Sequence, residues 1–206
     1  QQGFENKIAD QLGEYFGLDV EYVWFLQRMG FIRNTLKNWS DNTGRFACDL
    51  VIGVPTQFDI AATTKPYYRS SYSIIFKKDG PLGAVLTQQD VATVPDSVKQ
   101  SLSIAAFAPS PAVTWLRDNG FKDNTSFFRI MNGDGEDYPG KMVKRVADGE
   151  FDMLVIWGPI AGYFVKSHPE LSVISMTSEG SNVFDFPMSM GVRYGERPWK
   201  ETVEMA

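Results

Sequence analysis

Few residues of this 206-residue chain have the types and spacing that chemistry demands. Its one cysteine, Cys48, and one histidine, His168, are too few for a zinc site or a Cys–His nucleophilic pair. His168 stands in Ser167-His168-Pro169-Glu170, which reads as a polar turn. Asn132-Gly133-Asp134-Gly135-Glu136-Asp137 alternates oxygen donors as a calcium loop does, but Val143 stands where the bidentate glutamate belongs, so it reads as a solvated loop. There is no G-x-S-x-G elbow, phosphate loop or dinucleotide fingerprint, and Gly133 and Gly135 lack a third glycine opening a helix. No catalytic residue, metal ligand or cofactor site is therefore assigned, and the chain reads as non-enzymatic. Most of the remaining candidates lie at strand ends and in the loops that follow, where open α/β sheets bind ligands, and two tyrosines join them as the border of a cleft. They are Arg28, Thr56, Gln57, Tyr67, Tyr68, Ser110 and Trp157. Their chemistry is recognition. Ser110, at a helix start, could cap that helix or meet an anion. Trp157 is either a lid on the core or a stacking wall, and the tyrosines offer broad faces with one polar tip each.

The elements that would position these residues repeat. Gly44-Arg45-Phe46-Ala47-Cys48-Asp49-Leu50-Val51-Ile52-Gly53-Val54-Pro55 returns as Gly149-Glu150-Phe151-Asp152-Met153-Leu154-Val155-Ile156-Trp157-Gly158-Pro159. Each copy reads as a glycine helix stop, an Asp, a short apolar strand and a Gly/Pro loop. Such a strand suits a parallel sheet covered on both faces. Upstream, Phe4, Ile8, Leu12 and Phe16 recur four apart, which predicts a helix over 4–16 that stops at Gly17. A strand over Val20–Phe25 and a helix over Gly30–Trp39 follow. The second half repeats the order: helix Ala112–Asn119, strand Ser126–Ile130, helix Gly140–Asp148.

One element is unmatched. The second half opens on a strand, Leu102–Phe107, whereas the first opens directly on its helix. A strand preceding Gln1 is the expectation, in the middle of the first sheet beside Asp49–Gly53. Cys48 is then either a small buried hydrophobe or one half of a disulfide to that strand. Two extended crossings, Tyr72–Lys77 and Phe186–Tyr194, join the halves. The expected division is residues 1–78 with 187–206 as lobe one and 79–186 as lobe two, with a largely apolar cleft between them. At the other end, a helix opens at Pro198 and stops almost at once.

Composition narrows the function classes. A net charge of −5 with scattered Lys and Arg gives no basic stripe for nucleic acid. No apolar run approaches the roughly 20 residues of a membrane-spanning helix.

Particular runs carry a family resemblance. Gly3-Phe4-Glu5-Asn6-Lys7-Ile8-Ala9, the strand over Asp49–Gly53, and Lys65-Pro66-Tyr67-Tyr68-Arg69-Ser70-Ser71-Tyr72 resemble the family 3 extracellular solute-binding proteins of bacteria. Arg28-Met29-Gly30-Phe31-Ile32-Arg33-Asn34-Thr35-Leu36, Thr63–Ser70, Tyr138-Pro139-Gly140-Lys141-Met142-Val143 and Val155-Ile156-Trp157-Gly158-Pro159-Ile160-Ala161-Gly162-Tyr163-Phe164 look like its MoxJ/XoxJ branch. The resemblance implies a type II periplasmic-binding-protein-like fold, two α/β lobes with a cleft and two hinge crossings, in the periplasm. It also implies association with a pyrroloquinoline-quinone-dependent methanol dehydrogenase, with a small molecule or peptide segment as a possible cleft occupant. The alternative is a transport receptor for a small molecule that is not an amino acid. Amino-acid binders of the family carry an Arg in the loop after the first echo strand and an Asp at the end of the second. Here Pro55-Thr56-Gln57-Phe58-Asp59-Ile60 has no basic residue, and Trp157 takes the place of the Asp. Both charge-assisted grips on a zwitterion are missing.

Overall fold

The computed structural model describes residues 3–25, 30–129 and 138–206. The chain forms two compact units, Gln1–Arg69 with Phe186–Ala206, and Ser70–Asp185.

Unit 1 opens with α1, Phe4–Phe16, which ends on left-handed Gly17 as the fourfold apolar spacing predicts. The helical signal over Gly30–Trp39 yields only α2, Phe31–Asn34, because Thr35 leaves helical geometry while Ile32 and Leu36 bury their side chains. A small hairpin follows, β1 (Trp39–Ser40) with β2 (Arg45–Phe46). Gly44 sits in its turn with φ of 63°, so it is no helix stop, which corrects the sequence reading.

The echo strand becomes β3, Val51–Pro55, and it too departs from expectation. It pairs antiparallel with β10 (Asp185–Val192), not within a parallel sheet, and Val51, Ile52 and Gly53 are only half-buried. The other edge of β10 takes β4, Ala62–Thr63. Val20–Phe25 is not a strand. Tyr22 fastens this stretch to α1, its hydroxyl donating to Asp10 Oδ1 (2.6 Å) and to Asn6 O (3.0 Å). Val20, Val23 and Trp24 stay exposed, because among the described residues no strand lies beside them to complete a ladder. The small core of this unit gathers Ile32, Leu36, Val54 and Ala61, with Phe31, Cys48 and Phe58 against them. The last helix, α8 (Arg197–Met205), opens where the sequence places it, beside Pro198, and runs nine residues.

The chain enters unit 2 along β5, Tyr68–Lys77, and leaves it as β10 begins. Two short helices follow, α3 (Gln88–Ala92) and α4 (Asp96–Ser101). The predicted alternation then stands: β6 (Ile104–Ala108), α5 (Pro111–Asp118), β7 (Thr125–Arg129), α6 (Pro139–Ala147) and β8 (Met153–Trp157); α7 (Gly158–Val165) and β9 (Leu171–Ser175), which the sequence reading did not include, follow. β6 pairs parallel with both β7 and β8, while β5 runs antiparallel between β8 and β9. The second echo strand is thus buried in a parallel ladder, as its unbroken apolar run requires. Met142, Val143 and Val146 of α6 pack with Ala105, Phe107, Leu154 and Ile156 of the sheet and Ala161 of α7. Burying each of these larger side chains contributes roughly 1.5–3 kcal/mol.

Candidate functional site

In unit 1 two of the candidate residues, Tyr67 and Tyr68, meet around one carboxylate. Tyr67 and Tyr68, side by side where β5 begins, both donate their hydroxyls to Glu5 Oε1 at 3.2 Å. Glu5 reaches them from the first turn of α1, and Phe4 adds an edge contact to the Tyr68 ring, 5.3 Å between centroids. The other side of the carboxylate lies against Gly53 of β3. A Cβ there would stand 2.6 Å from Glu5 Oε1, and the φ of 79° excludes most other residues as well. The tyrosine tips are therefore engaged in joining α1, β3 and β5. Sequence reasoning quoted Glu5 only as part of a helix opening. Its role rests on partners 62 and 63 residues away.

This cluster carries a pH signature. Burial first, and then the charge of Glu5, push both phenols well above their ordinary value of 10.0. The folded state thus favours the neutral phenols. That stability is complete below the unfolded value near 10.0 and is lost as pH climbs toward the raised folded values. In an alkaline titration followed by tyrosinate absorbance, Tyr67 and Tyr68 are expected to be among the tyrosines that lag behind the exposed ones until the protein unfolds. Glu5→Gln should bring their titration closer to the rest. Synchronous ionisation of all eight tyrosines in the native protein would refute the assignment.

Thr56 and Gln57 follow β3 directly. The Thr56 hydroxyl lies 2.6 Å from Ser189 Oγ and 3.0 Å from Pro187 O, and its N–H donates to the same carbonyl at 2.8 Å. It fastens β3 to β10. Gln57 is exposed, with φ at 63°, and its N–H donates to Thr63 Oγ1. Its side chain lines a shallow groove of about 360 Å³ with Phe58, Thr63, Tyr194 and Lys200. Arg28 lies outside the described residues, as does the acidic loop over 132–137.

In unit 2, Ser110 and Trp157 stand at the carboxyl ends of β6 and β8, two parallel neighbours. Ser110 precedes α5 without capping it: its hydroxyl turns back to donate to Phe107 O at 2.5 Å. The capping reading is thereby corrected: the hydroxyl is committed to the Phe107 carbonyl rather than to the first amides of α5. Trp157 pairs across the sheet with Tyr72, the rings meeting edge to face at 5.2 Å, and the chain turns at once into α7. It is half-buried.

Two further residues bear on chemistry. Cys48 is free and half-buried, and burial pushes its thiol up, away from the thiolate a nucleophile needs. Among the described residues no cluster of three or more His, Cys, Asp or Glu could hold a metal ion. Nor is any described helix long and apolar enough to cross a membrane.

Sequence reasoning missed Arg193. Only 11% of its side chain is exposed, and it stacks over the Phe46 ring at 4.2 Å. Its guanidinium donates to Leu36 O, Cys48 O, Asp49 Oδ1 and Glu196 Oε1.

No family model matches the chain. It is 27% identical to the protein MoxJ of Methylorubrum extorquens, over 99% of this chain and 69% of that protein. Among solved structures, the periplasmic binding protein XoxJ from Methylobacterium extorquens AM1 matches with a TM-score of 0.72 and 26% identity, covering 98% of this chain and 80% of that one. MxaJ from Methlophaga aminisulfidivorans MPT matches with a TM-score of 0.76 and 24% identity, covering 99% and 84%. The fold is that of the type II periplasmic binding proteins.

Proposed function

We propose that this MoxJ/XoxJ-like chain, built on the type II periplasmic-binding-protein fold, is a non-enzymatic periplasmic accessory protein. It binds a quinoprotein methanol dehydrogenase and assists its maturation or activation. The observation that carries this reading is chemical. The two places where amino-acid binders of the family carry an Arg and an Asp, after β3 and at the end of β8, hold neutral residues here. β3 leads into Thr56 and Gln57, the first with its hydroxyl bound to Ser189 and Pro187, and β8 ends on Trp157 against Tyr72. A carboxylate and an ammonium taken out of water need paired charges. Neutral and aromatic groups at those places suit the surface of another polypeptide.

The test is deletion of the gene in a methanol-grown host, followed by assay of dehydrogenase activity and of its quinone and metal content. A loss of activity with incomplete occupancy is the expected result. Full activity and occupancy would overturn the reading and leave a receptor for a small molecule.

A further inference from the structure

Strand β9 forms one side of a trough in unit 2. Its residues pair with β5, Ser73 opposite Ser175 through Lys77 opposite Leu171. The flanking bonds fix which backbone groups face β5. Met176 N–H donates to Tyr72 O and Lys78 N–H to Glu170 O, so the even-numbered residues of β9 turn their amides and carbonyls inward. Val173 and Ser175 therefore turn theirs outward, where no strand pairs with them among the described residues. Both ends of this edge are closed: Leu171 N–H donates to His168 O and Thr177 N–H to Gln88 Oε1. Two residues, with two donors and two acceptors at strand spacing, remain open between them.

Facing that edge is the segment 86–89, and between the two lies a groove of about 830 Å³. The far wall offers little backbone of its own, because Asp90 already accepts from the N–H groups of Leu86 and Thr87. It offers apolar surface instead: Leu86 is 82% exposed, and Val173 on the strand side is 39% exposed. Among the lining residues Glu179 carries the charge.

We infer that this trough docks an extended segment of a protein partner, which adds to β9 as a further strand. Alternating donors and acceptors at strand spacing match another polypeptide backbone, the main-chain recognition of β-strand addition. Leu86 and Val173 select an apolar side chain from the segment, and Glu179 selects a Lys or Arg. A second copy of this chain is disfavoured by charge, since each copy carries a net −5 while Glu179 at the groove calls for a basic segment. The inference rests on the reading of the protein as one that binds a protein partner, and it names the surface used.

Hydrogen exchange over residues 171–177 tests it, in the presence of the purified methanol dehydrogenase or of the capped hexapeptide Thr-Val-Thr-Val-Thr-Lys. Val173→Pro removes one outward N–H and leaves the β5 ladder intact, a substitution that free strand edges tolerate. The expected result is that the dehydrogenase slows exchange over 171–177, and that the folded Val173→Pro variant binds it about tenfold more weakly, the loss of roughly one good hydrogen bond. Binding of the dehydrogenase with unchanged exchange over 171–177 and unchanged affinity of the variant overturns the inference. So does a Val173→Pro variant that fails to fold, since that amide would then be needed within the protein. If the dehydrogenase does not bind at all, the partner reading falls, and the hexapeptide decides the edge by itself. Protection of 171–177 by the peptide at about 1 mM upholds the docking site, and absence of protection rejects it.

Discussion

Arg193→Ala is expected to destabilise unit 1 by about 2–4 kcal/mol, somewhat below the range for breaking a fully buried charged pair, because the guanidinium is largely buried while Asp49 and Glu196 are partly exposed. The guanidinium fastens three stretches far apart in sequence, through Leu36 O at the end of the α2 turn, Cys48 O and Asp49 Oδ1 before β3, and Glu196 Oε1 before α8. Truncation would strand the two carbonyls, and it would leave Glu196, whose Oε2 is already buried without a partner, with no counter-charge. The stacking on Phe46 would go as well. Arg193→Lys keeps the charge but loses the planar fork, so one ammonium cannot serve four acceptors. It should cost about 1–3 kcal/mol, between the alanine variant and the parent. Urea unfolding, read as a shift in midpoint at constant slope, measures both. An alanine variant within about 1 kcal/mol of the parent would show that this network is ornamental to stability, as most exposed ion pairs are.

The network also shows what a sequence can disclose. α1 was legible because its signal is local: four apolar residues at a spacing of four, then glycine, and the helix runs Phe4–Phe16. The run from β6 to β8 was legible for the same reason, β6 and β8 each an unbroken apolar stretch and each helix opened by proline or closed by glycine or asparagine. The first half misled because strands are made by their neighbours. Val20–Phe25 has the composition of a strand, but Tyr22 binds it to α1. The echo strand repeats its parent's sequence, yet its partner in the structure is β10, running the other way. Arg193 was invisible because its main acceptors lie 144, 145 and 157 residues away. At the candidate site, Tyr67 and Tyr68 announced themselves as aromatic surface, but the carboxylate that occupies their hydroxyls did not. Ser110 misled in a smaller way: its sequence context and extended backbone fit a cap, and only the bond of its hydroxyl to Phe107 O shows that it does not cap α5.

Gly158→Ala is expected to cost about 2 kcal/mol and to move Trp157, because the first residue of α7 sits directly on the neighbouring strand. A Cβ at position 158 would lie 2.5 Å from Ser71 O and 3.3 Å from Ser73 Oγ. The serine hydroxyl could rotate away, but the carbonyl is part of β5, which is held on both sides by β8 and β9. Relief must come from α7, and a shift of its first turn pulls on the residue before it. Trp157 would then lose its edge contact with Tyr72. Overpacking of this kind costs typically 1–3 kcal/mol. For a chain of this size about 2 kcal/mol lowers the melting temperature by roughly 4–8 °C. The control lies in the same helix. Gly162 is exposed and a Cβ there would meet nothing within 4 Å, so Gly162→Ala should be neutral or stabilising by up to about 1 kcal/mol through helix propensity alone. Thermal unfolding with near-ultraviolet circular dichroism separates the two substitutions. An unchanged aromatic spectrum and melting temperature for Gly158→Ala would mean that α7 can step back from β5 freely, and that the place of Trp157 is not fixed by the glycine behind it.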